Sequence, residues 1–109
     1  MAEFKEVRKI SKTAKNILKK RYYQAEESSW EDVVQRVIAE VMGDEVDKSL
    51  IKDSTDALLY RYFVPNSPCL ANAGTKTNGL VACFVVDFND SIEEIFKTKL
   101  EFCSKTISW

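Results

Sequence analysis

The chain of 109 residues contains no histidine, three glycines, two prolines and three cysteines, and each shortage removes a class of chemistry. Without histidine the usual general base, and the usual orienting partner of a nucleophilic serine or cysteine, is missing. The sequence therefore argues against self-contained hydrolytic catalysis. Cys69, Cys83 and Cys103 form no C-x-x-C pair, so no metal site is expected. An odd number of cysteines in a reducing compartment is expected to rest as thiols. No apolar run approaches the roughly 20 residues of a membrane span, and "MAEFKEVRK" at the N-terminus lacks the apolar centre of a secretory signal. The expectation is a cytoplasmic protein with no membrane partner.

Charge of either sign is not in excess: Lys+Arg 16 stands against Asp+Glu 17, a formal net charge of −1. A protein that bound nucleic acid by neutralising phosphates would carry a basic surplus, so no nucleic-acid partner is expected. Lys15, Lys19, Lys20 and Arg21 read as a solvated helix face, offset by Glu26, Glu27, Glu31 and Asp32. What the chain does have is apolar material, 45% of residues with 11% aromatic, enough for a folded unit. A domain of this size buries only about 60–70% of its unfolded surface, so a few uncovered apolar faces would make it depend on a partner.

The apolar spacing predicts helices. Ile10, Ala14, Ile17, Leu18 and Tyr22 share one face of a first helix. Ser28 or Ser29, followed three residues on by Glu31 or Asp32, is a helix-start signature. Trp30, Val33, Val34, Val37, Ile38, Val41 and Met42 then form the clearest stripe in the chain, and Gly43 offers a stop. A third helix is expected from about Val46 to Phe63, closed by Pro65. "LVACFVV", Leu80 to Val86, reads as a strand buried on both faces. Asp90 or Ser91 with Glu93 or Glu94 starts a last helix, whose stripe runs through Ile92, Ile95, Phe96, Leu100, Cys103 and Ile107. One buried strand cannot be a sheet, since both its edges would be unpaired, so the chain looks like the front of something larger.

Both prolines, two of the glycines and two of the cysteines fall within "FVPNSPCLANAGTKTNGLVACFVV", Phe63 to Val86. Ser67, Asn72, Gly74, Thr75 and Thr77 offer donors that would suit an anion, although an ordinary turn is the better reading of that composition. Cys83 inside the apolar run reads as a small buried hydrophobe; Cys69, in a loop after Pro68, is the more exposed of the two by context.

"PNSPCLANAG", then "GLVACFVV", then "DSIEEIF" resemble, in order and spacing, the N-terminal part of the catalytic subunit of ribonucleotide reductase, most closely its adenosylcobalamin-dependent class II branch. "KNILKKRYY" resembles the segment that opens many class II chains. The likeness is densest from Phe63 to Phe96; Cys69 departs from it, standing where the family usually has threonine. The resemblance implies an α/β fold: a mainly helical N-terminal domain over residues 1–64, then, over 65–109, the first strand and the effector helix of a ten-stranded α/β barrel left incomplete here. It implies that Ser67 contacts the ribonucleotide substrate, that Ala82 and Cys83 lie at the sugar, and that Cys83 is the first member of the redox pair that supplies two electrons to thiyl-radical chemistry. Asp90, Ser91 and Ile92 match the start of the helix that binds a deoxynucleoside triphosphate effector, and the 91–107 face would meet its counterpart across a dimer. The radical cysteine, the second redox cysteine and most of the barrel lie beyond Trp109 in the family, as does most of the adenosylcobalamin site. The remaining catalytic part is thus the expected partner, and the chain alone is expected to be inactive. The alternative is a helical interaction module that keeps the motif only as structure.

Overall fold

The computed structural model describes Lys5 and residues 9–106, with side chains described as far as Ser104. Five helices follow in order: α1 Lys12–Arg21, α2 Trp30–Val41, α3 Lys48–Leu59, α4 Ser67–Asn72 and α5 Ile92–Thr106. No strand forms among the described residues.

The centre of the fold is α2. Ser29 caps it: its side chain accepts from the Asp32 N–H, while the Asp32 carboxylate accepts from the Ser28 and Ser29 N–H groups at 3.0 and 3.1 Å. The expected start is therefore the observed one, with Ser29 and Asp32 as its reciprocal pair. The stripe of α2 supplies Trp30, Val33, Val34 and Val37 to the core, which Leu58 of α3 and Cys69, Leu70 and Ala73 of the α4 region complete. Ile10, Leu18, Tyr22, Tyr23, Ile38, Leu59 and Leu80 pack around it. The Trp30 indole N–H is shared between the carbonyls of Leu58 and Leu59 at 3.2 and 3.1 Å. This locks α2 to the end of α3 and leaves no buried donor unmet on the ring.

The other helices keep their expected places with shifted ends. Ser11 caps α1 by accepting from the Ala14 N–H. Asp47 caps α3, so Val46 stays outside it and is 90% exposed. The α3 helix also ends at Leu59, well before Pro65. Arg61 takes a left-handed φ of 61°, and the N–H groups of Tyr62 and Phe63 turn back to the Ala57 carbonyl. The chain reverses by a C-terminal cap, with no need of the proline.

Three expectations about the Phe63–Val86 stretch are corrected. Its first part is not a loop but contains α4, capped by Asn66 with Pro68 in the first turn, where a missing N–H costs nothing. Leu80–Val86 is extended but unpaired, not a strand buried on both faces. Val81, Cys83 and Val85 are exposed while Ala82, Phe84 and Val86 are half-buried. A strand exists through hydrogen bonds to neighbours, and nothing among the described residues supplies them. The two cysteines exchange roles as well: Cys69 is buried at 8% exposure and Cys83 is exposed. Cys69 follows Pro68 on a helix whose inner face meets α2, a helix the loop reading lacked.

Ser91 opens α5, its hydroxyl accepting from the Glu94 N–H at 3.2 Å, while the Glu94 carboxylate accepts from the Asn89 N–H at 2.9 Å. Most of the apolar stripe of α5 faces solvent: Ile92 is 74% exposed, Phe96 66% and Leu100 71%. Cys103, expected to pack, is exposed, and Ile107 lies outside the described residues. Phe102 meets Phe84 edge to face, with ring centres 6.4 Å apart.

Candidate functional site

The residues around Ser67 are held by Arg36, a side chain that the stripe of α2 leaves at its border. Its Nε and one terminal nitrogen form a paired bond to Glu27 at 2.9 and 3.1 Å. The remaining donors reach the carbonyls of Tyr22 at 3.1 Å, Leu70 at 2.8 Å and Ala73 at 2.8 Å. Only 13% of the Arg36 side chain and 12% of Glu27 is exposed. One planar cation thus ties the end of α1 and the last turn of α4 to α2, and its charge is matched where water is largely absent. Gly74 follows with φ +72°, and a side chain there would come within 3.3 Å of the Arg36 Cγ. Both the turn and the close approach call for glycine.

Most side-chain bonds of the "ANAGTKTNG" segment stay within it, and one reaches α2. The Asn72 amide donates to the Gly79 carbonyl at 3.0 Å, and the Thr75 hydroxyl donates to the Asn72 carbonyl at 2.7 Å. Thr75 and Thr77 pair at 3.2 Å, and the Asn78 amide reaches Glu40 at 2.9 Å. Side chains of the segment and Glu40 of α2 close the turn, as the ordinary-turn reading expects.

Ser67 stands apart from that closure. It is the first residue of α4, exposed, and its Oγ accepts from the Tyr22 hydroxyl at 3.0 Å. The two line a recess of about 450 Å³ with Arg21, Gln24, Ala71 and Asn72. Gln24 fixes the far wall by donating to the Ala71 carbonyl at 2.9 Å. A polar recess with two hydroxyls and a guanidinium nearby suits an anionic oxygen.

The other expected site residues lie elsewhere. Neither Ala82 nor Cys83 lines the Ser67 recess. Within the extended segment they point to opposite faces, Ala82 half-buried and Cys83 exposed. Asp90, Ser91 and Ile92 are exposed at the start of α5, with Ser91 as its cap. Two further clefts flank the core. One, of about 540 Å³, collects Lys9, Lys15, Lys19 and Arg61 beside Trp30 and Glu31. The other, about 380 Å³ and almost wholly apolar, runs along α2 and α3 past Phe63 and Pro65 to Cys69. Burial pushes the Cys69 thiol up and outweighs the opposing Arg36 cation, which fits a packing group better than a reactive thiolate. No group of three metal-ligating side chains occurs among the described residues, and no helix there is long and apolar enough to cross a membrane.

Sequence reasoning missed Tyr22 and Arg36. The signal for Arg36 was a cation directly beside buried valines in α2, with Glu27 one turn before that helix; the signal for Tyr22 was slight, because its partner is distant in sequence.

A helical unit built on α2, with the Ser67 helix anchored to it, defines a helical domain that presents a polar recess. The model of the ribonucleotide reductase all-alpha domain matches residues 8–78, and the chain belongs to the ribonucleotide reductase family as the N-terminal region of a large subunit. Over 36 residues it is 67% identical to the vitamin B12-dependent ribonucleoside-diphosphate reductase of Thermoplasma acidophilum, covering 33% of this chain and 5% of that protein. The protein of the same description from Mycobacterium tuberculosis is 50% identical over 36 residues, again 33% of this chain and 5% of the relative. The ribonucleoside-diphosphate reductase large chain of Schizosaccharomyces pombe is 34% identical over 73 residues, 66% of this chain and 9% of that protein. The chain thus spans less than a tenth of the curated relatives it matches. No solved structure matches it significantly.

Proposed function

We propose that the chain is the N-terminal piece, natural split subunit or fragment, of a class II-like ribonucleotide reductase, and that it contributes substrate contacts, one redox cysteine and part of an allosteric specificity site to a complete enzyme. The observation that carries this reading is the family match through residue 78, which takes in the Ser67 helix and its recess. Ser67 meets substrate there. Cys83 supplies one thiol of the redox pair, and Asp90, Ser91 and Ile92 meet a deoxynucleoside triphosphate. The division into a helical domain over 1–64 and the front of a barrel over 65–109 belongs to the same reading.

The exposed apolar row of Leu80–Val86 and the uncovered stripe of α5 support a partner that completes them. A thiol used in radical chemistry needs shielding from water, and Cys83, exposed here, gains it when neighbouring strands pair with its segment. The α5 stripe is the candidate dimer face.

Adenosylcobalamin is the cofactor of the complete enzyme in this reading, supplying the radical when bound. The residues present here do not fit it. Among the described residues, the clefts of about 380, 450 and 540 Å³ are sized for drug-like ligands and not for a corrin.

The test is co-expression with the remaining catalytic part, followed by an assay for ribonucleotide reduction with adenosylcobalamin and a dithiol. Cys83→Ser is expected to abolish dithiol-dependent turnover; unaffected turnover would sink the redox assignment. A chain that binds neither nucleotide nor reductase fragment would favour the interaction-module alternative.

A further inference from the structure

Ser67 sits at the lip of its recess with its Oγ already accepting a hydrogen bond, and the donor is Tyr22, 45 residues earlier in the chain. That polarity matters. A serine hydroxyl has one hydrogen and two lone pairs. With Tyr22 donating into the oxygen, the hydroxyl hydrogen of Ser67 is turned away from Tyr22 and can be given to an acceptor in the recess, and the donated bond makes it a better donor. Tyr22 is itself fixed at its backbone: its N–H reaches the Leu18 carbonyl at 2.9 Å, and its carbonyl accepts from Arg36 at 3.1 Å. The same Arg36 holds the Leu70 and Ala73 carbonyls at the other end of α4. The two bonded groups therefore stand on elements tied to one anchor, so their separation is set by the fold and not by loose side chains.

We infer that Tyr22 is a positioning residue for substrate binding, holding the Ser67 hydroxyl as a donor to an anionic oxygen of a phosphorylated ligand, with Arg21 as the nearby countercharge. This rests on the reading that Ser67 meets substrate. Tyr22 itself touches no reacting atom. A group that only helps bind the phosphorylated end contributes equally before and during the chemical step, so its loss raises KM and leaves kcat nearly unchanged.

The experiment uses the assembled enzyme with a ribonucleotide substrate and compares Tyr22→Phe, Ser67→Ala and the double variant. Tyr22→Phe keeps the ring and removes only the donor. It is expected to raise KM by roughly three- to tenfold, the worth of one hydrogen bond, with kcat within about twofold. Ser67→Ala should raise KM by at least as much, and the double variant should match Ser67→Ala, because Tyr22 acts only through that oxygen. If Ser67→Ala leaves KM unchanged, the substrate reading of Ser67 is wrong and the inference goes with it. If Ser67→Ala raises KM but Tyr22→Phe does not, or the two effects multiply, the reading of Ser67 stands and the positioning role of Tyr22 is overturned. A fall in kcat with KM unchanged overturns it too. Should Tyr22→Phe not assemble, Tyr22→Met, also without a donor, is scored by the same split.

Discussion

The valines of α2 and those of the 80–86 segment are chemically alike, yet Val33 and Val34 are fully buried whereas Val81 is 52% and Val85 101% exposed. Burying one such side chain is worth about 1.5–3 kcal/mol, so the difference has nothing to do with appetite for the core. It lies in the backbone. A helix closes its own hydrogen bonds and needs only its stripe covered, and α3 and α4 cover that of α2 within the same chain. An extended segment needs partners on both edges before its side chains can be packed. Trp30–Leu70 therefore buries its stripe within the chain, whereas Val81, Val85, Ile92, Phe96 and Leu100 stay exposed among the described residues.

Thiol reactivity should expose this contrast most widely. With a maleimide in excess, Cys83 is expected to label at once, while Cys69 labels only as fast as the core opens. Burial raises the Cys69 pKa as well, which lowers the thiolate fraction further. Mass spectrometry of digests gives the order; equal rates would show that α4 is not packed as described. Adding the remaining catalytic part should protect Cys83 and leave Cys69 as it was.

Removing the anchor of the buried half comes next. Arg36→Ala leaves Glu27 as a mostly buried carboxylate and three carbonyls without their donor. The expected cost is about 3–5 kcal/mol, a large share of the total of a domain this size, read as a fall in the urea midpoint. A loss below about 1 kcal/mol would mean that the pair behaves like a surface salt bridge.

A matched pair of truncations sharpens the comparison directly. Leu58→Ala, in the core at 3% exposure, should cost about 2–5 kcal/mol. Leu100→Ala, at 71% exposure on α5, should change stability by no more than about 0.5 kcal/mol. Repeating both after the complementary part is bound should leave the first cost in place and raise the second, if α5 is a contact face.

The same contrast explains which parts of the structure were legible in the sequence. Trp30–Val41 was, because six apolar residues at helical spacing and the Ser29–Asp32 pair are local signals that all point one way. The α4 helix was not. Six residues carry too little periodicity, and Asn66 and Pro68, which start it, read equally well as turn residues. The reversal of Cys69 and Cys83 follows from that miss: a helix turned Cys69 inward, and an unpaired strand left Cys83 outside. Ser67 was legible as a residue type in a family-like motif, whereas the Tyr22 and Arg36 that hold its helix act across 45 and 34 positions, a range at which spacing carries no information. The last helix was legible as a helix, and its lack of cover within the chain was hinted at by the small size of the chain and by the dimer face that the resemblance implied for residues 91–107.

The smallest expected effect is the pH response of the α2 cap. The Asp32 carboxyl is held below its ordinary value chiefly by the Ser28 N–H, with Ser29 contributing through both hydroxyl and backbone. A carboxylate whose pKa is lower in the folded chain than in the unfolded one adds stability that is fully present above the unfolded value. That contribution fades as pH falls through the folded value. The window therefore opens at about pH 4 and extends downward. Urea midpoints taken from pH 7 to pH 2 should be flat to about pH 4 in this respect and then decline. Asp32→Asn removes the charge and keeps an acceptor, so it should lower the midpoint slightly at pH 7 and converge with the parent at the acid end. A constant gap between the two curves across the whole range would assign the cap to hydrogen-bond geometry alone. It would also show that charge at the start of α2 does not help set the buried half apart from the exposed one.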